Sequence, residues 1–408
     1  MNSEEKAVAQ VVFHNKVGGS ETLEAAAGRP LTEVLTAHGI PVNAVITTRN
    51  GKIVPEETTI VGEHDVIELR QVRHYDLDVT RRPATTVYGT PDPIYTKSIL
   101  FDTMGRLERR VEQFDEESFV RYVEETFVQS VLGHGVLQAD DNVVIGLSGG
   151  RDSVAFLKLL ERTRHRLPAF TMTSVTITGL PDWEEPATFA AARASAEGLG
   201  IDQVIVDASD IERVFKLRRP FVEAMNEVVG GDRSHLNMVV GHQVLRRMLE
   251  DHAQRIGAGT VAFGFNGDDL VASMVTWLTS GFRMGGIPVR QIGGMRYVFP
   301  LYRIPKKELT IYLELVAPEL NRQGTPGRFT TGPQERSMAY AMADHLYGLW
   351  PGIDYYLFES FSTMQRYMFP LVEEKCRVCE GVYVAQEGVR NPVDICDVCD
   401  FFARQEYA

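Results

Sequence analysis

Apolar and polar residues alternate with a period of two near the start of the chain, which is the pattern of half-buried β-strands. The segment AVAQVVFHN, from Ala7, alternates in this way. The segment AVITTRNGKIV predicts two strands joined at Asn50-Gly51, a dipeptide that strongly favours a hairpin turn. Leu31–Ala37 has the spacing of a short helix, and DVIELRQV predicts a further strand. Residues 7–72 therefore predict one self-contained unit of strands and a helix.

This order of elements resembles the β-grasp fold of the small, ubiquitin-like sulfur carriers. Those carriers act through a free C-terminal Gly-Gly, whereas here the last strand continues into RHYDLDVTRRPATTVYG without that ending. We therefore expect residues 1–73 to be a fused β-grasp domain with a docking or structural role, in preference to a working carrier. Residues 74–98 are rich in proline and threonine and predict a linker.

A second pattern follows, in which the apolar spacing is helical from Met104 to Leu137 and strands then alternate with helices. Strands separated by helices of this length predict a parallel, doubly wound α/β sheet covered on both faces. The predicted strands are Val143–Leu147, Phe170–Ile177, Gln203–Val206 and Thr260–Phe265, and the predicted helices are Val154–Arg162, Pro186–Leu199 and Asn237–Arg255.

Composition and charge narrow the class of protein. The chain has 408 residues, 44% of them hydrophobic and 24% charged, which is typical of a globular protein of two or three domains. No apolar run approaches the roughly 20 residues that span a bilayer, and the first residues are polar, so we expect a cytoplasmic protein with no membrane segment. The net charge of −13 means that RNA binding would need local basic patches. Candidate runs, each with a solvated helix face as the alternative, are Arg109-Arg110, Lys216 with Arg218 and Arg219, and Lys306-Lys307.

The segment VVIGLSGGRDS carries the clearest chemistry. A strand leads into a glycine-rich loop and then a helix, so that backbone N–H groups and the positive helix end can hold phosphate. The loop lacks the spacing and the lysine of a Walker A motif. A plain strand-to-helix turn is the structural alternative. The expected nucleotide-binding residues are Ser148, Gly149, Gly150, Arg151, Asp152 and Ser153.

These residues resemble the PP-loop ATP pyrophosphatase superfamily, whose fold is that of the adenine nucleotide α hydrolases. The resemblance implies that the chain binds ATP and Mg²⁺, cleaves ATP to AMP and pyrophosphate, and adenylates a carbonyl or carboxyl oxygen. Asp152 is then expected to be a catalytic residue that orients the loop or helps to hold Mg²⁺.

A second motif, GFNGDD, follows the strand from Thr260. Asp268 and Asp269 open a helix, where aspartates also serve as ordinary N-caps. We expect them to be catalytic residues that contact Mg²⁺ or the adenylate, and we expect Gly264 and Asn266 to contact the nucleotide. The motif resembles the G-H-N-x-D-D box of PP-loop enzymes that thiolate tRNA, with Phe265 in place of the usual histidine.

The segments FPLYRIPKKEL and PGIDYYLFESF and the C-terminal CxxC pairs extend this resemblance over about residues 100–405. It points to the tRNA 2-thiouridine synthetases, which take sulfur from ubiquitin-like carriers. The resemblance implies a PP-loop domain with a helical extension at 99–370, a tRNA partner, a sulfur donor or carrier acting in trans, and a homodimer.

All four cysteines lie near the C-terminus, in the pattern C-x2-C-x16-C-x2-C. Four thiolates in two CxxC knuckles are typical of a structural Zn²⁺ site. An iron–sulfur cluster is the alternative occupant. We expect a zinc knuckle at 371–408, with Cys376, Cys379, Cys396 and Cys399 as ligands.

The resembled thiolases hold a catalytic [4Fe-4S] cluster on three further cysteines. The corresponding positions here are Asn237 and Val240, before Gly241, and a point near Thr325-Pro326. No cysteine stands at them, so the sequence predicts adenylation without that cluster. Three hypotheses stay open: a thiolase-like enzyme with sulfur delivered in trans, an adenylating amide or amidine ligase with an amine nucleophile, and a non-catalytic ATP-binding module.

Overall fold

A computed structural model describes residues 9–15, 18–72, 86–88, 93–103, 106–178, 186–230, 236–280, 286–321, 334–349, 352–368, 371–386 and 394–407. The chain divides into two compact units, residues 1–83 and residues 84–408. Each unit has its own hydrophobic core.

The first unit is a five-stranded mixed sheet with one helix, α1 (Leu31–Ala37). The strand order is β2-β1-β5-β3-β4, with β1 and β5 parallel at the centre. Leu31 and Leu35 of the helix and Ile67 and Leu69 of β5 are fully buried in one core between the helix and the sheet. The strands are β1 (Gln10–His14), β2 (Ser20–Leu23), β3 (Val45–Arg49), β4 (Lys52–Ile53) and β5 (Val66–Gln71).

The predicted hairpin at Asn50-Gly51 is confirmed, since β3 and β4 pair antiparallel on either side of it. Asn50 has φ +51° and Gly51 has φ +80°. Both residues therefore occupy the left-handed region that a tight two-residue hairpin turn requires, and asparagine and glycine tolerate that region best.

The second unit begins with a three-stranded sheet of order β6-β8-β7, and here the sequence prediction is wrong in two respects. The expected linker contains β6 (Thr86–Tyr88) and the start of β7 (Tyr95–Thr103), and the expected helix from Met104 is replaced at first by β8 (Arg106–Phe114). Two residues spaced by four share a face in a helix and in a strand alike, so the apolar spacing was ambiguous. The segment forms a strand because all nine residues of β8 pair with β7.

The helical part of that segment is α2 (Glu116–Gly133). Asp115 caps its N-terminus by accepting a hydrogen bond from Ser118 N at 2.8 Å, and the Ser118 hydroxyl lies 3.0 Å from Asp115 N in return. This capping box gives the helix its definite start.

The main sheet has six strands in the order β11-β10-β9-β12-β14-β13, and every adjacent pair is parallel except β14 and β13. The predicted parallel α/β sheet is thereby confirmed, although β12 ends at Ala262 and is shorter than expected. Its strands are β9 (Asn142–Gly146), β10 (Thr171–Ile177), β11 (Asp202–Val206), β12 (Thr260–Ala262), β13 (Val289–Ile292) and β14 (Met295–Val298).

Helices cover both faces of this sheet. Val143 and Ile145 of β9 pack in one core with Phe156, while Val144 between them packs in the other core with Val244 and Leu249. The covering and flanking helices are α3 (Arg151–Thr163), α4 (Pro186–Gly198), α5 (Ala208–Phe215), α6 (Phe221–Gly230), α7 (Leu236–Arg255), α8 (Gly267–Ser280), α9 (Lys306–Val316), α10 (Pro318–Asn321), α11 (Gln334–Leu349) and α12 (Ile353–Met368).

The C-terminal part consists of a hairpin and one more helix. Strands β15 (Leu371–Lys375) and β16 (Val382–Gln386) pair antiparallel, and α13 (Asp397–Arg404) follows. Cys376, Cys379 and Cys399 are buried in the same core as α7, so this part belongs to the second unit.

Candidate functional site

The strand order places two loops side by side at the carboxyl ends of the central strands of the main sheet. From the central β9 the chain moves outward to β10 and β11, and then returns to pair β12 with the other side of β9. Ligands of open α/β sheets bind at such a switch point, at the carboxyl ends of the strands. The loops that follow β9 and β12 are the two motifs singled out in the sequence.

The loop after β9 has the backbone of an anion site. Gly149 has φ +75°, a left-handed conformation that favours glycine. Gly150 is the N-cap of α3, and no side chain caps that helix end. The Ser148 hydroxyl accepts from Gly150 N at 3.3 Å and lies 3.1 Å from the Ser153 hydroxyl. The first N–H groups of α3 are thus left for a ligand beside two hydroxyl groups.

Asp152, in the first turn of α3, is where three parts of the chain meet. Its Oδ2 accepts hydrogen bonds from Asn266 Nδ2 at 3.2 Å and from Lys306 Nζ at 3.3 Å. Its Oδ1 is buried and has no hydrogen-bond partner among the described residues. Burial raises the pKa of Asp152, Lys306 opposes that rise and Asp269 adds to it. A buried carboxylate oxygen without a partner at these strand ends leaves one ligand position for a cation or a water.

Asn266 and Asp269 cap the N-terminus of α8. Asn266 N donates to Asp269 Oδ2 at 3.2 Å, and Asp269 N donates to Asn266 Oδ1 at 3.0 Å. Tyr340 of α11 donates to the other oxygen of Asp269. Both carboxylate oxygens of Asp269 are therefore engaged, so the ordinary capping role describes this residue in the structure.

Asp268 faces α9 instead, and its Oδ2 accepts from the backbone N–H of Lys306. Burial raises the pKa of Asp268 to about 6, opposed by that hydrogen bond and assisted by Asp269. The remaining predicted contacts border the same strand ends: Arg151 is exposed at the start of α3, and a Cβ at Gly264 would meet no atom within 4 Å.

Sequence reasoning missed two residues of this site. Lys306 was noted as part of a basic run and of the segment FPLYRIPKKEL, but it was not assigned to the nucleotide site. Tyr340 carries no local signal, because its contact with Asp269 spans 71 residues of sequence.

Lys306 is held in place by a buried polar cluster on the other side of α9. Glu308 is fully buried and pairs with Lys97 at 3.1 Å. The hydroxyls of Tyr95 and Tyr122 also donate to Glu308, each at 3.0 Å. These contacts tie α9 to β7 and α2.

The four cysteines form one cluster, in which all Sγ atoms lie within 4.8 Å of one another. The Sγ atoms of Cys379 and Cys396 are 3.8 Å apart. A tetrahedral Zn²⁺ with metal–sulfur distances of about 2.3 Å requires sulfur–sulfur distances of about 3.8 Å. Cys396 N also donates to Cys376 Sγ at 3.3 Å. The donors therefore fit a closed tetrathiolate metal site.

The positions that correspond to the cluster cysteines of the resembled thiolases, and one of the basic runs, show no further site in the described residues. Val240, in α7, is 4% exposed. The side chain of Asn237 and the segment at Thr325-Pro326 lie outside the described residues. Lys216, Arg218 and Arg219 are exposed, and Arg219 lies 3.4 Å from Glu223. Among the described residues, none of the helices has the length and hydropathy of a membrane span.

Comparisons with known proteins agree with the fold and the motifs. No protein-family profile matches the chain. The tRNA-cytidine(32) 2-sulfurtransferase of Delftia acidovorans is 24% identical over 188 residues, which cover 44% of this chain and 54% of that protein. The tRNA 2-thiolation protein NcsA of Haloferax volcanii is 28% identical over 186 residues, covering 42% of this chain and 55% of that protein. The chain thus spans just over half the length of these relatives.

Among solved structures, the U34-tRNA thiolase NcsA from Methanococcus maripaludis with its [4Fe-4S] cluster matches with a TM-score of 0.54 and 20% identity. The match covers 72% of this chain and 91% of that one. The chain therefore shares the α/β fold of that thiolase. Within that class, the chain is similar to the tRNA thiolases, as the sequence motifs predict.

Proposed function

We propose that this protein is an ATP-dependent adenylating enzyme that acts on tRNA and cleaves ATP to AMP and pyrophosphate. One observation carries the proposal: Asp152, Asn266 and Lys306 converge at the switch point, beside a helix N-terminus without a side-chain cap. The relatives named as tRNA sulfurtransferases support tRNA as the acceptor.

The phosphate loop supplies the binding of the nucleotide. Backbone N–H groups from Gly149 to Ser153, with the hydroxyls of Ser148 and Ser153, hold the β- and γ-phosphates and stabilise the charge of the departing pyrophosphate. Gly264 and Asn266 border the nucleotide on the neighbouring loop.

The charged groups divide two tasks. Oδ1 of Asp152, which has no hydrogen-bond partner among the described residues, and the carboxylate of Asp268 would hold Mg²⁺, and the ion would offset the charge of the phosphates. Asp269 keeps the start of α8 in place. Lys306 stands next to Asp152 and contributes a positive charge to the phosphates. Its position on α9 makes it a binding residue beyond those in the two sequence motifs.

The chemistry follows from the leaving group. The carbonyl oxygen of a tRNA base attacks the α-phosphorus of ATP, the α–β bond breaks and pyrophosphate departs. The adenylated oxygen then leaves as AMP when a nucleophile attacks the base carbon. A sulfur donor or carrier acting in trans supplies that nucleophile in the thiolase reaction.

A second candidate is an adenylating amide or amidine ligase with an amine nucleophile. The sequence holds four cysteines, and all four lie in the metal-site cluster. No thiol is left to carry a persulfide or to ligate a [4Fe-4S] cluster beside the ATP site, and an amine needs neither.

Three further assignments complete the proposal. The strand order of the first unit and its helix α1 support a β-grasp domain, to which we assign a docking role. The geometry of the cysteine cluster supports Zn²⁺. A homodimer and a cytoplasmic location follow from the resemblance to the tRNA thiolases.

The test uses the purified protein with radiolabelled ATP and tRNA from cells that lack the gene. The proposal expects AMP and pyrophosphate in equal amounts, dependent on tRNA. Mass spectrometry of tRNA from cells with and without the gene then separates the candidates: a lost 2-thiolated pyrimidine supports the thiolase, and a lost amide or amidine supports the ligase. Release of ADP and phosphate, or turnover indifferent to tRNA, contradicts the proposal.

A further inference from the structure

Two adjacent arginines of α7 reach the backbone of the cysteine knuckles. Nε and Nη2 of Arg247 both donate to the carbonyl oxygen of Cys379, at 2.9 and 2.7 Å. Nη2 of Arg246 donates to the carbonyl oxygen of Val382 at 2.9 Å. Arg247 is only 6% exposed, so these charged hydrogen bonds lie in the interior of the second unit.

Gly381 of the knuckle backbone lies directly against Arg247. A Cβ at Gly381 would lie 2.4 Å from Arg247 Cδ and 2.8 Å from its Nε. Gly381 therefore allows the close approach, and any larger residue would push the guanidinium away from Cys379.

The positive charge of the two arginines can offset the negative charge of a metal bound by four thiolates. A divalent metal on four thiolates carries a net charge of about −2, and such a charge is costly to bury unless cations lie near it. Arg247 donates to the carbonyl oxygen of Cys379, a residue of the cluster, and Arg246 donates to that of Val382, three residues further along the chain. Both arginines thus face the side of the fold where the charge of a loaded site would lie.

Arg246 is also connected to the main sheet through Glu250. Arg246 Nε lies 3.4 Å from Glu250 Oε1, and Glu250 accepts a hydrogen bond from Tyr297 of β14. The ring of Tyr297 stacks on Phe263, directly after β12, with centroids 6.2 Å apart. An unbroken series of contacts therefore joins the knuckles to the strand end beside the phosphate loop.

We propose that Arg246 and Arg247 form a latch that couples occupancy of the four-cysteine site to the placement of α7 on the main sheet. A bound metal holds the Cys379 carbonyl where Arg247 donates to it, and the arginines in turn offset the charge of the thiolates. The inference rests on the proposed occupancy of the cluster by Zn²⁺. Arg246 and Arg247 are positioning residues and have no part in the chemistry.

The test is the rate at which zinc passes from the full-length protein to the chelator 4-(2-pyridylazo)resorcinol. Arg247→Met removes the donors from one side, and Gly381→Ala displaces the same guanidinium from the other. Each is expected to release zinc at least about tenfold faster than the wild type, the effect typical of losing a partner of a metal ligand. Arg247→Lys keeps the charge but has fewer hydrogen-bond donors, so its rate of zinc release should lie between those of the wild type and Arg247→Met.

Two controls match these variants. Arg121→Met removes an exposed arginine of α2 that pairs with Glu117 at 3.0 Å, and Gly259→Ala adds a methyl group where no atom lies within 4 Å. Both should release zinc within about twofold of the wild-type rate, since neither residue touches the knuckles.

Hydrogen exchange gives the second readout. Removal of zinc from the wild type should speed amide exchange in α7 and β14 but leave α3 unchanged. Wild-type release rates in Arg247→Met and Gly381→Ala, or unchanged exchange in α7 without zinc, would overturn the latch. If Arg247→Met does not fold, Gly381→Ala decides. A wild-type protein that takes up no zinc would be a different failure, that of the metal site itself.

Discussion

Nζ of Lys306 lies 3.3 Å from Oδ2 of Asp152, which joins the first turn of α9 to the first turn of α3 across 154 residues of sequence. Asn266 donates to the same oxygen from the loop after β12. The carboxylate is thus held by a cation and an amide, while its second oxygen is left for a ligand. This arrangement links the phosphate loop to a lysine that neither motif contains.

The first prediction concerns that lysine. Lys306→Met should lower the rate of AMP formation by about 100-fold, because it removes a positive charge from beside the departing pyrophosphate and leaves Asp152 buried beside Asp269. Asp152→Asn should cause a loss of similar size. Lys307→Met is the matched control: Lys307 is exposed and its Nζ lies 5.7 Å from the ring of Tyr95. Equal rates in all three variants would remove Lys306 and Asp152 from the site.

The second prediction contrasts two neighbouring glycines. Gly149→Ala should destabilise the protein by about 1 kcal/mol and weaken ATP binding, because an L-residue resists φ +75°. Gly150→Ala should cost less stability, since φ −66° suits any residue and the new Cβ would meet only Ser148 Oγ at 3.3 Å. Urea denaturation and calorimetric ATP titration measure the two effects. A larger loss of stability in Gly150→Ala would contradict the backbone described here.

The third prediction is a pH dependence. Folding raises the pKa of Asp268 from 3.8 to about 6, so between these values the folded protein binds more protons than the unfolded chain. The stability that Asp268 contributes is therefore present below pH 3.8 and is lost as the pH rises through about 6. Asp268→Asn, which can still accept from Lys306 N, should remove this part of the slope and raise the melting temperature of the metal-free protein at pH 7.

The control for that experiment is Asp140→Asn. Asp140 is exposed with φ +64°, a conformation that asparagine tolerates well. Melting curves from pH 4 to pH 7 should run parallel for the control and the wild type. If Asp268→Asn left the pH dependence of the melting temperature unchanged, the carboxyl group of Asp268 would not be buried as described.

The fourth prediction concerns the polar cluster behind α9. Lys97→Met leaves the buried carboxylate of Glu308 without a cation and should destabilise the second unit by about 3 kcal/mol. Lys158→Met breaks an exposed pair with Glu161 at 2.7 Å and should cost less than about 1 kcal/mol. Urea denaturation measures both values. Similar costs for the two variants would mean that Glu308 is solvated.

The fifth prediction concerns the cysteine cluster. Metal analysis of the wild type should give about one zinc per chain, and Cys396→Ser should lose the metal together with part of the stability, because metal binding contributes directly to folding. The measurement is elemental analysis with thermal unfolding in the presence and absence of a chelator. If anaerobic reconstitution produced the visible absorbance of an iron–sulfur cluster, the four cysteines would bind iron instead of zinc.

The sequence was most informative where a function depends on short stretches of chain. The loop at Ser148 to Ser153 needs only a strand, two glycines and a helix in series, and each CxxC knuckle is likewise local. The sequence was least informative for β8, because residues spaced by four share a face in either kind of element. Pairing with β7, and not local preference, made that segment a strand.

By itself, the sequence determined the parallel α/β class, the phosphate loop, the cysteine spacing and the hairpin at Asn50-Gly51, because each depends on residues close together in the chain. Only the tertiary structure decided which strands are neighbours, and with them the meeting of Asp152, Asn266 and Lys306. It also decided that Asn266 and Tyr340 engage both carboxylate oxygens of Asp269, whereas Oδ1 of Asp152 has no hydrogen-bond partner in the part of the chain that the structure describes. These contacts depend on the pairing of β12 with β9, on the side opposite β10. Local sequence patterns do not predict which strands pair.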